Sequence, residues 1–178
     1  MAVSSWLSRM LGMELTLDNL GNVLVLQLRD LLSAEEQLIE ALPKMIEAAH
    51  SPDLKAAFSR HLEETRIQKS RLQECLMILN RDASSETCEA MQGLLEEGDQ
   101  ILWATGDPDV KDAAIIASAQ RVEHYEIAAY GCARTFARRL GYERIANLLQ
   151  ESLDEEGLAD KALTDVAESF VNVQAARS

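Results

Sequence analysis

Acidic residues recur where predicted helices should face their neighbours. Glu35 shares a stripe of helical spacing with Leu28, Leu31 and Leu38. Further polar candidates lie at or near the inner stripes of three other helical stretches: His61, Glu64 and Gln68; Glu123 and Glu126; Glu155 and Glu156. Because carboxylate and imidazole groups suit iron, manganese or zinc, their meeting inside a bundle would create a metal site.

The spacing of these acids repeats. Glu35 and Glu64 are 29 positions apart, and so are Glu126 and Glu155. Around the second members, LEETRIQKSRL (62–72) and LDEEGLADKAL (153–163) align without a gap, which indicates two similar helical hairpins about a pseudo-twofold axis. In hairpins with tight turns, equal spacing predicts that four carboxylates meet at one level.

Burial of these acids would need compensation. One unpaired buried carboxylate costs several kcal/mol, against a total stability of about 5–15 kcal/mol. The acids could stay protonated, pair with Arg66, Arg71 or Arg121, lie exposed, or bind divalent cations between them. A single acid of this kind is expected at the solvated surface, but four regularly spaced acids, one per helix, favour a metal site.

Capping residues predict where the supporting helices begin and end. Ser51 and Asp107 each precede a proline and an aspartate, the pattern of a helix N-terminus, and Gly141 is a C-terminal stop. The pattern predicts long helices near 16–50, 51–80, 107–140 and 142–173, with a minor helix in the connection 81–108. Two hairpins joined by one long connection predict an all-α four-helix bundle.

Length and composition agree with one helical domain. The 178 residues contain only 4% aromatic residues, which is typical of packed helices. We expect a flexible N-terminal arm at residues 1–15, the bundle at 16–174 and a frayed C-terminus at 175–178.

Charge and cysteine content exclude several classes of function. Lys and Arg number 17 against 30 Asp and Glu, so the net charge of −13 disfavours nucleic acid and anionic membranes as partners. Three cysteines lack the spacing of a zinc finger or a disulfide framework, which indicates a reducing cytoplasm. No stretch is long and apolar enough to predict a membrane span.

The sequence closely resembles the YciE/YciF family of ferritin-like proteins over about residues 16–170. The motifs that carry the resemblance are, in order, SAEEQLIEALPKM (33–45), SPDLKAAFSRHLEETRIQ (51–68), CEAMQGLLEEG (88–98), RVEHYEIAAYG (121–131) and LLQESLDEEGLADKALTDVA (148–167). The resemblance implies a ferritin-like four-helix bundle with an additional crossover helix, a homodimer, a cytoplasmic location and a role in bacterial stress.

The metal-binding pattern of ferritin-like di-iron proteins is only partly present. These proteins place a Glu on each of two helices and a Glu-x-x-His on each of the other two. Glu35 and Glu126 match the single glutamates by position. The second helix instead offers His61-x-x-Glu64, and the fourth has Ala159 where a histidine could lie. The departure leaves the metal and its oxygen chemistry open.

The resemblance implies two iron ions, or alternatively manganese ions, per subunit if the site is complete. Glu35 and Glu126 would be terminal ligands, Glu64 would bridge together with Glu155 or Glu156, and three residues would complete the shell: Glu123, His61 and Gln68. The expected activity is oxidation of Fe(II) by oxygen or peroxide. The alternative is a non-enzymatic dimeric stress protein that acts through protein partners.

Overall fold

Helices account for the regular structure of the described residues. The computed structural model describes residues 17–178, among which no strand occurs. We label the helices α1 (Leu20–Ala48), α2 (Pro52–Ile78), α3 (Glu89–Leu102), α4 (Pro108–Arg139), α5 (Glu143–Val166) and α6 (Asn172–Ala175); a π-helical turn, Ala167–Val171, joins the last two. The predicted all-α fold is confirmed. None of these helices is long and apolar enough to cross a membrane.

The long helices pair as two hairpins. The most extensive helix contacts are those of α1 with α2 and of α4 with α5, while α3 lies in the crossover and packs on α1 and α4. Each hairpin has a three-residue turn, so its two helices run antiparallel.

The predicted caps form at both proline-initiated helices. Ser51 Oγ accepts a hydrogen bond from the backbone N–H of Leu54, and Asp107 Oδ1 accepts from the N–H groups of Asp109 and Val110. The turn after α4 uses Gly141 at φ +79°, a conformation that glycine adopts without strain.

Two helix ends differ by a few residues from the predicted helix bounds. Helix α1 begins at Leu20, because the side chain of Asn19 accepts a hydrogen bond from the N–H of Asn22 and caps it there. At the other end, helical structure continues through the π-helical turn to Ala175. The predicted arm at residues 1–15 lies outside the described residues.

Two apolar clusters fill the bundle, one on each side of a polar level. One cluster includes Leu38, Phe58 and Ile115, and the other includes Leu28 and Leu72. Each long helix contributes residues to both clusters, and its buried or half-buried polar residues lie between those two contributions. These residues form the polar level: Glu35 on α1, His61, Glu64, Thr65 and Gln68 on α2, Glu123 and Glu126 on α4, and Glu156 on α5. The fold therefore brings the polar candidates to the middle of the bundle.

A buried aspartate fixes the two hairpins to each other. The carboxylate of Asp112 on α4 accepts hydrogen bonds from the backbone N–H groups of His50 and Ser51, at 2.8 and 2.6 Å. Asp112 has no exposed surface. These hydrogen bonds connect the turn between α1 and α2 to α4, which limits sliding of one hairpin along the other.

Candidate metal centre

Four side chains from three helices converge at the polar level. His61 of α2, Glu123 and Glu126 of α4, and Glu156 of α5 each offer one ligand atom, and these atoms all lie within 4.8 Å of one another. All four side chains are buried. One divalent cation could contact an imidazole and three carboxylates here, a ligand set suited to iron, manganese or zinc.

The imidazole of His61 lies among carboxylates. Its Nε2 is 3.4 Å from Glu123 Oε1 and 3.9 Å from Glu156 Oε2, while its Nδ1 is 3.7 Å from Glu64 Oε2. Neither ring nitrogen has a hydrogen-bond partner among residues 17–178. The ring is therefore placed for electrostatic attraction or for ligation.

Helix α1 contributes Glu35 to the same level. This side chain is fully buried, and the hydroxyl of Tyr130 donates a hydrogen bond to its Oε1. Its Oε2 has no partner within the described part of the chain. One oxygen is thus held while the other stays available to a ligand.

Gln68 orients two neighbouring glutamates. Its Nε2 donates to Glu156 Oε1 at 2.5 Å and to Glu155 Oε2 at 3.1 Å. Gln68 therefore holds Oε1 of Glu156, while Oε2 of Glu156 has no hydrogen-bond partner among residues 17–178. Supporting bonds of this kind fix the orientation of a metal ligand.

Burial sets the protonation of the inner glutamates. It raises the pKa of Glu35 to about 8, with the Tyr130 hydroxyl acting in the opposite direction. Burial likewise raises the pKa of Glu156 to about 7, which His61 partly offsets, and holds the pKa values of Glu123 and Glu126 well above their usual range. Without a cation, these carboxyls resist ionisation.

The histidine responds in the opposite way to its surroundings. Burial favours the neutral ring, but the neighbouring carboxylates of Glu123, Glu64, Glu156 and Glu35 outweigh it and raise the pKa of His61 to about 10. The metal-free centre therefore favours an imidazolium wherever one of the neighbouring carboxyls is ionised.

The donor set fits a divalent cation. Both oxygens of Glu126 and one oxygen each of Glu123 and Glu156 lack hydrogen-bond partners within residues 17–178. Within that range, no lysine or arginine forms a salt bridge with these three glutamates or with Glu35. Buried polar groups are normally satisfied, so unpartnered oxygens around one point favour a bound ion.

Two of the equally spaced acids lie at the edge of the polar level. They are Glu64 and Glu155, each 29 positions after its partner, Glu35 or Glu126. The side chain of Glu64 is 32% exposed. Glu155 receives both arms of the Arg71 guanidinium, at 2.5 and 2.8 Å. The arginine pairing considered for the inner acids thus occurs at Glu155, while His61 and Glu156 occupy the centre.

Sequence reasoning missed one half-buried polar network that joins α1, α3 and α4. Tyr125 donates a hydrogen bond to Asp30, and its hydroxyl lies 3.0 Å from Cys88 Sγ at the start of α3. These residues are far apart in the chain and share no motif. No local signal in the sequence could have joined them.

The comparisons with known proteins define the class first. The described chain is a ferritin-like helical bundle: it superposes on a dodecameric thioferritin of Bacteroides fragilis with a TM-score of 0.69, covering 89% of this chain and 91% of that one. At 16% identity, this likeness concerns the fold alone.

The family follows from closer relatives. Residues 19–176 match the model of DUF892, a domain of unknown function, and the chain belongs to that family. It is 42% identical to protein YciF of Escherichia coli over 162 residues, which cover 90% of this chain and 98% of that protein. The predicted resemblance is confirmed.

Two relatives of known structure have the same architecture. The E. coli stress protein YciF gives a TM-score of 0.84 at 43% identity, covering 88% of this chain and 99% of that chain. YcfI of Rhodopseudomonas palustris, for which a structural role has been suggested, gives 0.83 at 40% identity, covering 88% and 98%.

Proposed function

We propose that the buried cluster binds Fe(II), or alternatively Mn(II), and that the protein oxidises Fe(II) with oxygen or hydrogen peroxide. The observation that supports this most is the convergence of four buried ligand atoms within 4.8 Å. Desolvated, unpartnered carboxylates are costly in a core unless a cation or a proton compensates them.

The residues of the cluster have separate roles in this proposal. Glu123, Glu126, Glu156 and His61 hold the first ion, and Gln68 keeps Glu156 in place. Glu35, whose Oε2 has no hydrogen-bond partner among residues 17–178, would hold a second ion beside the first. Glu64 and Glu155 act from the edge, through His61 and Gln68.

The reaction balances with iron as substrate. Two Fe(II) ions each lose one electron, and hydrogen peroxide accepts two electrons and two protons to give two waters. With oxygen as oxidant, the same two electrons and two protons give hydrogen peroxide. The chain supplies charge and position, and its carboxyls Glu35 and Glu156, whose pKa values are about 8 and 7 without metal, can release, when the ions bind, the two protons that the oxidant takes up.

The cellular setting is inferred from the relatives. We place the protein as a homodimer in the bacterial cytoplasm, acting in a stress response. The description of YciF as a stress protein supports the setting, and the dodecameric assembly of the thioferritin agrees with an oligomer.

A second candidate is a non-enzymatic helical protein that acts through protein partners. It is favoured by the incomplete ligand pattern, since Thr65, Gln68 and Ala159 occupy positions at this level where further Glu or His ligands could lie. The structural role suggested for YcfI agrees with it.

Metal analysis distinguishes the two candidates. The full chain is loaded with Fe(II) without oxygen and desalted, its iron is measured by atomic emission, and peroxide is added while ferric absorbance is followed. We expect stoichiometric iron and peroxide-dependent absorbance in the wild type. Glu35→Ala/Glu126→Ala should lose both, while Glu97→Ala, at an exposed position of α3, should keep both.

Two results would decide against iron oxidation. A wild-type chain that retains neither iron nor manganese supports the non-enzymatic candidate. Unchanged oxidation in Glu35→Ala/Glu126→Ala, with circular dichroism showing intact helices, excludes the cluster as the site. Glu126→Gln, nearly equal in shape, replaces the double variant if that protein does not fold.

A further inference from the structure

A cavity lies between α2 and α5, beside the cluster. Its volume is about 250 Å³, and its walls include Ala57 and Phe58 of α2 and Ala162 and Leu163 of α5. Arg60 and Leu158 also line it, and both are exposed, so they mark its outer end. The space is larger than oxygen or peroxide requires.

A small residue on α5 helps to create this space. Ala159 lines the cavity and follows Glu156 by three positions. In a Glu-x-x-His helix an imidazole would occupy this position. Alanine leaves room beside the buried ligands, and Ala57 and Ala162 widen it.

The inner end of the cavity is polar and lacks internal partners. His61 and Glu123 line it and are only 4% and 2% exposed. Both nitrogens of His61 and Oε2 of Glu123 have no hydrogen-bond partner among residues 17–178. An imidazole N–H can donate and a carboxylate oxygen can accept, so a group that does both would satisfy the pair.

We propose that this cavity binds a neutral, single-ring aromatic alcohol of the phenol class, its hydroxyl between His61 and Glu123 and its ring against the apolar walls. An apolar cavity of about 150 Å³ is enough for benzene, so 250 Å³ accommodates a substituted ring. The apolar walls disfavour a charged ligand, because a charge loses its solvation there. Metal is not required, because both polar partners belong to the metal-free chain.

The test is a titration of the full, metal-free chain with phenol, followed by calorimetry and by ligand-observed NMR. We expect saturable binding of one phenol per chain. Benzene lacks the hydroxyl and should bind about tenfold more weakly. Ala159→Leu fills the cavity and should weaken phenol binding at least tenfold, while Ala117→Leu, at an exposed alanine of α4, should leave it unchanged.

Several outcomes would overturn the proposal. These are the absence of saturable phenol binding, equal affinity for benzene, and unchanged binding in Ala159→Leu. If Ala159→Leu does not fold, Ala162→Val fills part of the same space with less bulk. Iron retention measured in the same variants separates the two proposals: a chain that binds phenol but no iron contradicts only the metal centre, and the reverse contradicts only the cavity ligand.

Discussion

The two helical hairpins share a scaffold but contribute unequally to the centre. The α4–α5 hairpin supplies three of the four clustered ligands, all glutamates, whereas the α1–α2 hairpin supplies one histidine to the cluster and Glu35 beside it. Thr65 and Gln68 of α2 are buried at the same level, yet both are neutral. Two similar hairpins thus place their polar residues at the same level of the bundle, but the residue types that they contribute there differ.

Charge is also divided between the hairpins. Among the described residues, His61 is the only basic side chain within salt-bridge distance of an inner glutamate, and it comes from the acid-poor hairpin. Within that part of the chain, the negative charge of the three glutamates on the α4–α5 hairpin can therefore be balanced only by His61 of the α1–α2 hairpin, by protons or by a bound cation. We therefore expect the largest effect in the pH dependence of stability of the metal-free protein, in which the buried glutamates and His61 titrate together.

We predict that the metal-free protein loses stability as the pH rises from 5.5 to 8.5. The folded-state pKa values of Glu35 and Glu156, about 8 and 7, exceed their ordinary value of 4.5, and that of His61, about 10, exceeds 6.5. In each case the folded state binds protons more tightly than the unfolded state, so stability falls as the pH rises toward the folded pKa. At about 1.4 kcal/mol per pKa unit, the loss should reach several kcal/mol.

Urea unfolding at both pH values measures this loss. Saturating Mn(II) should reverse the trend, because a metal binds the deprotonated ligands and stabilises only the folded state. A Glu35→Gln variant should show a smaller pH dependence than the wild type. A metal-free stability that rises with pH would show that the inner carboxyls are ionised at little cost.

Two adjacent glutamates on α5 give the second test. Glu156→Gln removes a clustered carboxylate and should weaken Mn(II) binding by at least about 100-fold, by analogy with the 10–100-fold losses for groups that only support ligands. Glu155→Gln changes a carboxylate held by Arg71 and should alter affinity less than threefold. Calorimetric titration of both variants decides, and equal losses would contradict the assignment of Glu156 as the inner ligand.

The sequence was sufficient for the bundle and for the level of the centre. Caps at Ser51 and Asp107, helical stripes and the repeat of 29 positions all follow from local geometry. The repeat could not select the inward residue, because one position along a helix turns a side chain by about 100° and so separates Glu155 from Glu156. Ser152, Glu156 and Leu163 follow one another at helical spacing, and this apolar stripe is the better signal, since all three are buried.

Contacts between distant segments were out of reach of such reasoning. The hydrogen bond from Tyr130 to Glu35 depends on how α1 packs against α4. Asp112 lies 61 positions from Ser51, and nothing in the pattern indicated their hydrogen bond. These bonds depend on the tertiary arrangement of the hairpins.

A third prediction makes the second hairpin more like a di-iron helix. Ala159→His creates Glu156-x-x-His and places an imidazole in the cavity. We expect Mn(II) affinity to rise about tenfold, which corresponds to about 1.4 kcal/mol, while phenol binding falls. Ala117→His is the control for added imidazole. Lower metal affinity in Ala159→His alone would mean that α5 does not face the ion at this turn.

We expect the smallest change in stability at Arg71. This residue of α2 pairs with Glu155 of α5, at the edge of the polar level. Arg71→Met keeps much of the apolar stem but removes both hydrogen bonds to Glu155, whose side chain is 26% exposed. Water can solvate the freed carboxylate, so unfolding free energy should fall by only about 1 kcal/mol. A cycle with Glu155→Gln measures the pair directly. A loss above about 3 kcal/mol would instead place Glu155 with the buried acids, since removing one partner of a buried pair costs that much.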